Sequence, residues 1–501
     1  MRMRRHCFAR VDRSMASTGG RLSSRLGLAL LVAALAIVAT RRPVHADDDP
    51  FPRPKVLEPA IAFWRDIFAT YSQHQVVVHD DWYLGKVYEV LDFRSWVSDG
   101  EPLTSSQVNE KKRQVDETTA HVRAILLRLD ANGDSAEGLG PEEHKVYAMF
   151  ADVHQPNKFR EAADRIRTQA GLRERFALGI ARQHGYLERM QRVFRQDGLP
   201  PQLARLPLIE SCFDVNAYSK VGAAGVWQFM PSTGRQYMVV NNGIDERRDP
   251  LRATRAAARH LQEDYEALGS WPMAITAYNH GRGGIYRGAD EVGSTDIGDI
   301  VMRYRGKAFG FASRNFYAEF LAALDVSDRA DELFGELPHI PAVQGEEIEV
   351  PHAMGLQYAA RLAGCSSEDL IVANPAFLSG VTEGRLPIPR GYQLRVPPGA
   401  DGLQVARAEA PPRPERSQVA SSRGRGRSVQ LASAKSSRGS KATTIATKSS
   451  AKTPAVVVHR VRPGQTLDAI ARQYGTTVQA IKGLNNCGRS IQAGQRLRIP
   501  T

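Results

Sequence analysis

Residues 399–455 cannot fold alone, and that decides how the rest of the chain is organised. The stretch is rich in Ser, Ala, Arg and Lys, contains no Phe, Tyr or Trp, and carries eleven Lys and Arg against three acids. Such a composition buries too little apolar surface to offset its ordering entropy, so it reads as a flexible basic linker. The segments on its two sides are alike. Leu356, Ala360, Arg361, Gly364, Leu370 and Asn374 recur without gaps as Leu467, Ala471, Arg472, Gly475, Ile481 and Asn485, an offset of 111. Gly391, Leu394, Arg395, Val396 and Pro397 recur as Gly494, Leu497, Arg498, Ile499 and Pro500 at an offset of 103, so the first copy holds eight extra residues. This repeat predicts two small strand–helix–helix–strand modules, at 340–398 and 456–501, the first of them degenerate.

The formal net charge of +13 is unevenly placed. Residues 1–46 hold nine Arg and one Asp, and the linker adds a further +8, which leaves −3 for all the folded parts. A nucleic-acid-binding face is therefore not expected. The Arg-Gly alternation at 423–427 fits a solvated linker, or attraction to anionic wall polymers. The first 46 residues have the layout of a secretory signal: basic through Arg25, apolar over 26–39, then Val44-His45-Ala46 before an acidic start. The apolar run is shorter than the roughly 20 residues a membrane span needs. Export to the periplasm is expected, with an uncleaved leader and membrane association as the alternative. Four cysteines without a Cys-x-x-Cys exclude a disulfide framework.

Between leader and repeat the pattern is mainly helical. Apolar residues recur at spacings of three and four over 56–71, 118–129 and 175–194. The β-branched and aromatic interval 75–93 suggests a short strand pair. A helical N-terminal region over 47–169 and a second helical block over 170–330 follow. Asp130-Ala131-Asn132-Gly133-Asp134 starts like a calcium loop but has Ser135 at the sixth position and Pro141 at the twelfth, so it reads as a turn. His280 has no second histidine at ligand spacing, and neither metal nor cofactor is expected.

The chemistry concentrates at 206–234. An apolar run delivers one carboxylate, Glu210, which is followed by Ser211, Tyr218, the turn Gly222-Ala223-Ala224-Gly225, and Trp227-Gln228-Phe229-Met230. An acid in apolar surroundings keeps its proton near neutrality, which is what protonation of a glycosidic oxygen requires. If the helix continued past the acid, Leu206 and Phe213 would flank it. Further on stand Ala277-Tyr278-Asn279 and Arg314-Asn315-Phe316-Tyr317.

In their order and spacing these segments resemble the lytic transglycosylases with a goose-lysozyme-like catalytic domain. The likeness covers 170–330 and is closest to the membrane-bound D type. Residues 458–500 resemble the LysM module, and 350–397 a degenerate copy of it. The resemblance implies a mainly α protein with a lysozyme-like α+β catalytic domain after the helical N-terminal region, plus small βααβ modules. It implies cleavage of the β-1,4 bond between N-acetylmuramic acid and N-acetylglucosamine without water. Glu210 would act first as acid and then as base. Ser211, Gln228 and Met230 would line the groove, Trp227 would offer a stacking face, and Tyr278, Asn279 and Tyr317 would orient sugar or acid. The expected partner is the peptidoglycan glycan strand, met by a monomer. No second carboxylate is marked in the sequence, which favours intramolecular attack over hydrolysis. A hydrolytic muramidase and a non-catalytic wall-binding scaffold are the rival readings.

Overall fold

The computed structural model describes residues 49–97, 102–409 and much of 456–500. The leader at 1–46, Cys7, Cys487 and the linker from 410 onward lie outside the described residues. Two units separate, 1–413 and 414–501.

The first unit begins with helix α1 (Glu58–Ala69), which buries Ile61, Trp64, Ile67 and Phe68. The strand pair expected at 75–93 is present: β1 (Gln75–Asp80) runs antiparallel to β2 (Val87–Asp92). A third strand, β3 (Ile166–Ala170), joins the other edge of β1, giving the order β2-β1-β3. β1 is covered on both faces, so its three valines need no polar alternation. Val77 enters the main core while Val78 packs in a separate N-terminal cluster with Leu126, Phe150 and Phe159. That cluster is built by α2 (Ser105–Ala131), started by a Thr104–Gln107 capping box, with α3 (Pro141–Met149) and α4 (Lys158–Asp164). The turn after α2 is closed by Asn132, whose amide donates to the Ser135 and Glu137 carbonyls.

The helical block follows: α5 (Arg173–Gln196), a 3-10 turn at Pro201–Arg205, α6 (Leu206–Ser211), α7 (Pro231–Tyr237), α8 (Pro250–Leu268), α9 (Trp271–His280), α10 (Arg282–Val292), α11 (Ile297–Arg303), α12 (Phe311–Asp328) and α13 (Ala330–Phe334). α8 shows why boundaries fall where they do. Asp249 accepts from the Leu251 and Arg252 amides, Pro250 opens the helix, and left-handed Gly269 closes it. α12 runs through the core, burying Phe316, Tyr317, Phe320 and Leu321, and packs along α1, α6 and α9.

The first repeat copy consists of β4 (Glu346–Glu349), α14 (Leu356–Ala363), α15 (Ser367–Ala373), α16 (Ser379–Thr382) and β5 (Gln393–Val396), with β4 and β5 antiparallel. Order continues past 399 into α17 (Gly402–Ala406), which packs on β4 and α14, so the linker starts later than its composition implied. The eight extra residues of this copy fall in the stretch that docks on the helical block. The Asp245 amide donates to the Ala376 carbonyl at 2.8 Å, and the Leu378 amide to the Gly243 carbonyl at 2.9 Å. Buried Arg395 pairs with Asp249 at 2.7 Å and with Glu347 at 2.9 Å.

In the second unit β6 (Val456–Arg460) pairs with β7 (Arg496–Pro500), with α18 (Val478–Asn485) against β7. The repeat shows in its hydrogen bonds. Asn485 donates to the Ile481 and Arg498 carbonyls at 2.7 and 2.6 Å, and its own oxygen accepts from the Arg498 amide. Asn374 does the same with Leu370 and Arg395 at 2.8 and 2.7 Å. In both copies one asparagine staples the second helix to the last strand.

Candidate active site

Glu210 occupies the last turn of α6, a helix of six residues with Pro207 in its first turn. The helix does not run on to place Phe213 beside the acid. Cys212 and Phe213 both adopt left-handed backbone, φ 49° and 51°, which turns the chain sharply after Ser211. Gly179 of α5 makes room for that turn, because a Cβ there would lie 2.8 Å from the Cys212 carbonyl oxygen. Glu210 is half-buried and accepts no hydrogen bond from the described residues. Burial pushes its carboxyl up to about 8, so it stays protonated at neutral pH.

The 222–230 loop forms the next wall. Gly225 has φ 72°, and a Cβ on it would meet the Arg247 carbonyl oxygen at 1.7 Å, so only glycine fits. Buried Arg247 holds the loop by donating to the Gly222 and Phe229 carbonyls at 2.8 and 2.9 Å, while Asp245 fixes its other face at 2.7 Å. Gln228, at φ 48°, is half-buried and donates to the Gly225 carbonyl at 2.8 Å, which leaves its amide oxygen for a ligand. Met230, at the end of this loop, is 39% exposed.

α9 supplies the opposite side. Tyr278 is half-buried; its hydroxyl donates to the Trp227 carbonyl at 2.8 Å, and burial followed by the charge of Glu210 raises its pKa. Asn279 is exposed, with its side-chain oxygen accepting from Ser313 at 2.9 Å and its NH2 left for a ligand. Behind Tyr278 the rings of Phe229, His260 and Tyr237 form a packed set.

Two expectations, for Trp227 and Tyr317, need correction. Trp227 is fully buried and its indole N–H donates to Thr254 at 2.9 Å, so it offers no stacking face to sugar. Its part is to carry the carbonyl that fixes Tyr278. Half-buried Ser211 donates to the Val226 carbonyl at 3.0 Å and so ties the end of α6 to the loop. Tyr317 is fully buried and donates to the Pro52 carbonyl at 2.8 Å, which anchors the N-terminal segment on α12.

Two residues, Glu319 and Arg247, escaped the sequence reading. Glu319 on α12 is half-buried, without a hydrogen bond among the described residues, and within electrostatic reach of Glu210. Burial, then the charge of Glu210, push it up to about 8, with Arg167 acting the other way. The Arg167 guanidinium lies 3.9 Å from the centre of the Phe311 ring at the start of α12. Arg247 was also missed, because an arginine in Asp-Glu-Arg-Arg reads as solvated surface.

A carboxyl kept protonated in a groove between an amide loop and a Tyr-Asn corner can donate a proton to a bound ether or acetal oxygen. Comparison with known proteins agrees with that chemistry. Residues 192–300 match the transglycosylase SLT domain, and residues 459–500 match the LysM domain. The chain carries an SLT domain and a LysM domain. It is also similar to membrane-bound lytic murein transglycosylase D of Escherichia coli strain K12, 26% identical over 344 residues, covering 61% of this chain and 74% of that protein. The protein of the same name from Escherichia coli O6:H1 is similar to the same extent. Glu210, Gln228, Met230, Tyr278 and Asn279 lie inside the SLT match, whereas Tyr317 and Glu319 lie beyond it. Among the described residues there is no group of side chains able to hold a metal ion, and no helix long and apolar enough to cross a membrane.

Proposed function

We propose that this protein is a peptidoglycan lytic transglycosylase, exported and acting as a monomer in the periplasm, with the tail module holding it on glycan. The observation that carries the reading is Glu210: a half-buried carboxyl with no ion-pair partner, protonated at neutral pH, between the 222–230 loop and Tyr278-Asn279. Bound across it, the β-1,4 linkage between N-acetylmuramic acid and N-acetylglucosamine receives the Glu210 proton on its bridging oxygen. The C1–O bond breaks and N-acetylglucosamine leaves as an alcohol. Glu210, now a carboxylate, takes the proton of the muramic acid C6 hydroxyl as that oxygen bonds to C1. The product is a 1,6-anhydro end, the carboxyl is restored, and no water is consumed. Gln228 and Asn279 contribute their free amide groups to sugar hydroxyls.

A second reading, a muramidase using water, gains one argument from Glu319. A second carboxylate could serve as the base that activates water. It would have to be ionised, however, and burial beside Glu210 holds its proton to about pH 8. At neutral pH a protonated Glu319 is not a base, which favours intramolecular attack. Glu210→Gln should lose lysis of purified sacculi by at least a thousandfold while still binding them; full activity in that variant would remove Glu210 from the mechanism and favour the scaffold reading.

A further inference from the structure

The charge of −3 over the folded parts hides a division. Residues 456–501 hold seven Lys and Arg against one acid, Asp468, a net of +6, and residues 47–398 therefore carry −9. A single acid neutralises one cation, so the charge of the tail module is not balanced inside it.

The strand ladders show where part of that charge stands. Gln393 and Arg395 of β5 recur at the offset of 103 as Arg496 and Arg498 of β7. Opposite the first two stand Glu349 and Glu347 of β4; opposite the second two stand Arg460 and Val458 of β6. Directly opposed residues, and residues two apart on one strand, share a face of the pair. The positions held by Glu347, Glu349, Gln393 and Arg395, with a charge of −1, are thus held in the second copy by Val458, Arg460, Arg496 and Arg498, with +3. Like charges in direct opposition weaken a strand pair, as Arg460 opposite Arg496 must.

In the first copy this face is a docking surface. Arg395 meets Asp249 of the helical block at 2.7 Å and Glu347 at 2.9 Å, while Arg252 and Arg255 of α8 reach Glu347 at 3.4 and 3.3 Å. The second copy keeps the arginine and lacks its partners. Val458, 62% exposed, replaces Glu347, and Arg496 and Arg498 are exposed, with no ion pair among the described residues. Guanidiniums two residues apart on one strand are spaced by about 7 Å. Each offers a planar fork that fits a carboxylate, so the pair suits a polymer that carries carboxylates at intervals.

We propose that this sheet face of the second unit binds the carboxylates of the peptide stems on peptidoglycan, as its counterpart in the first copy binds Asp249. The carboxylate chemistry rests on the repeat; its source rests on the function proposed above.

Co-sedimentation of the full-length chain tests this, in a Glu210→Gln background that leaves the glycan uncut. The probes are intact sacculi, sacculi whose carboxylates are capped as methylamides, and phosphatidylglycerol vesicles. Exposed charge pairs are individually weak, so Arg496→Gln with Arg498→Gln should reduce binding to intact sacculi roughly fivefold. The same variant should bind capped sacculi as well as its parent does, and the difference on intact sacculi should vanish in about 0.5 M salt. Arg496→Lys with Arg498→Lys should retain most of the binding. Binding indifferent to capping, or equal binding of intact sacculi by variant and parent, would overturn the proposal. Loss on both kinds of sacculi would also overturn it, by placing the arginines in the folding of the module. Vesicles bound as tightly as intact sacculi, and lost with the same substitutions, would assign the face to a lipid surface instead. A wild type that cuts no glycan yet binds in the expected pattern would count against the transglycosylase reading and leave the face assignment standing.

Discussion

At the scale of single residues, the proposed chemistry turns on two half-buried carboxyls. Glu210 and Glu319 are both held up near pH 8, so both carry protons where an ordinary glutamate has lost them. The lytic rate should fall as pH rises through about 8, because the general acid is then lost; a pH–rate profile that keeps rising to pH 10 would contradict this. The same shifts affect stability. A folded-state pKa above the unfolded value means that the folded form binds more protons between about pH 4.5 and 8, so stability drops across that window and the full cost is present above it. Glu319→Gln should therefore match the wild type near pH 4.5 and be more stable at pH 9, on the order of 1–3 kcal/mol, measured by denaturant midpoints at both pH values. Glu210 was legible in the sequence because its apolar run and the motifs after it point to one acid. Glu319 was not, since an acid in a helix otherwise rich in apolar residues reads as its solvated stripe, and only packing on α6 turns it inward. Trp227 was misread for the opposite reason: an aromatic beside a groove residue looks like a platform until its N–H is seen bonded to Thr254.

The groove depends on loops held by few contacts, and these respond to backbone changes at the scale of elements. Gly225→Ala places a methyl group into the Arg247 carbonyl, so the 222–230 loop must move and Gln228 with it. Lysis should drop at least a hundredfold while far-UV circular dichroism stays native; unchanged activity would show that the loop does not position substrate. The left-handed turn at Cys212 and Phe213 was invisible in the sequence because neither residue advertises positive φ, whereas glycine would have. The strand pair at 75–93 was legible from its β-branched run. β3 was not, because Ile166-Arg167-Thr168-Gln169-Ala170 is short and polar and becomes a strand only by completing the edge of β1. Likewise the repeat was legible from spaced identities, but the fate of its first copy was not. Arg395 there is buried against Asp249 and Glu347, while Arg498, its counterpart, is exposed. Arg395→Met should destabilise the first unit by about 1–3 kcal/mol, since it removes the nearest cation from buried Asp249, leaving it Arg252 at 3.7 Å and two backbone amides. Denaturation at the wild-type midpoint would mean that the first copy is not a brace on the catalytic body.

Cutting and holding are divided between the two units at the scale of the whole molecule. The first unit contains the groove and the braced first copy, and the second contains the β6–β7 pair with α18 against it. Joining them by a linker raises the local concentration of groove around bound glycan without any added contact. A chain ending at Arg413 should keep its kcat/KM on short soluble glycan and lose roughly tenfold or more of its binding to sacculi in a pull-down. Equal binding by the shortened chain would assign glycan retention to the first unit. The compositional break that separates the units was the plainest feature of the sequence, because a segment lacking aromatics cannot hide.

The account stands or falls on where the proton and the nucleophile come from. Mass spectrometry of glycan fragments released by the wild type reads this directly. Muramic acid ends lighter by one water, and resistant to borohydride reduction, are the expected product. Reducible ends carrying oxygen from solvent would show that water attacks C1, and would contradict intramolecular attack assisted by Glu210.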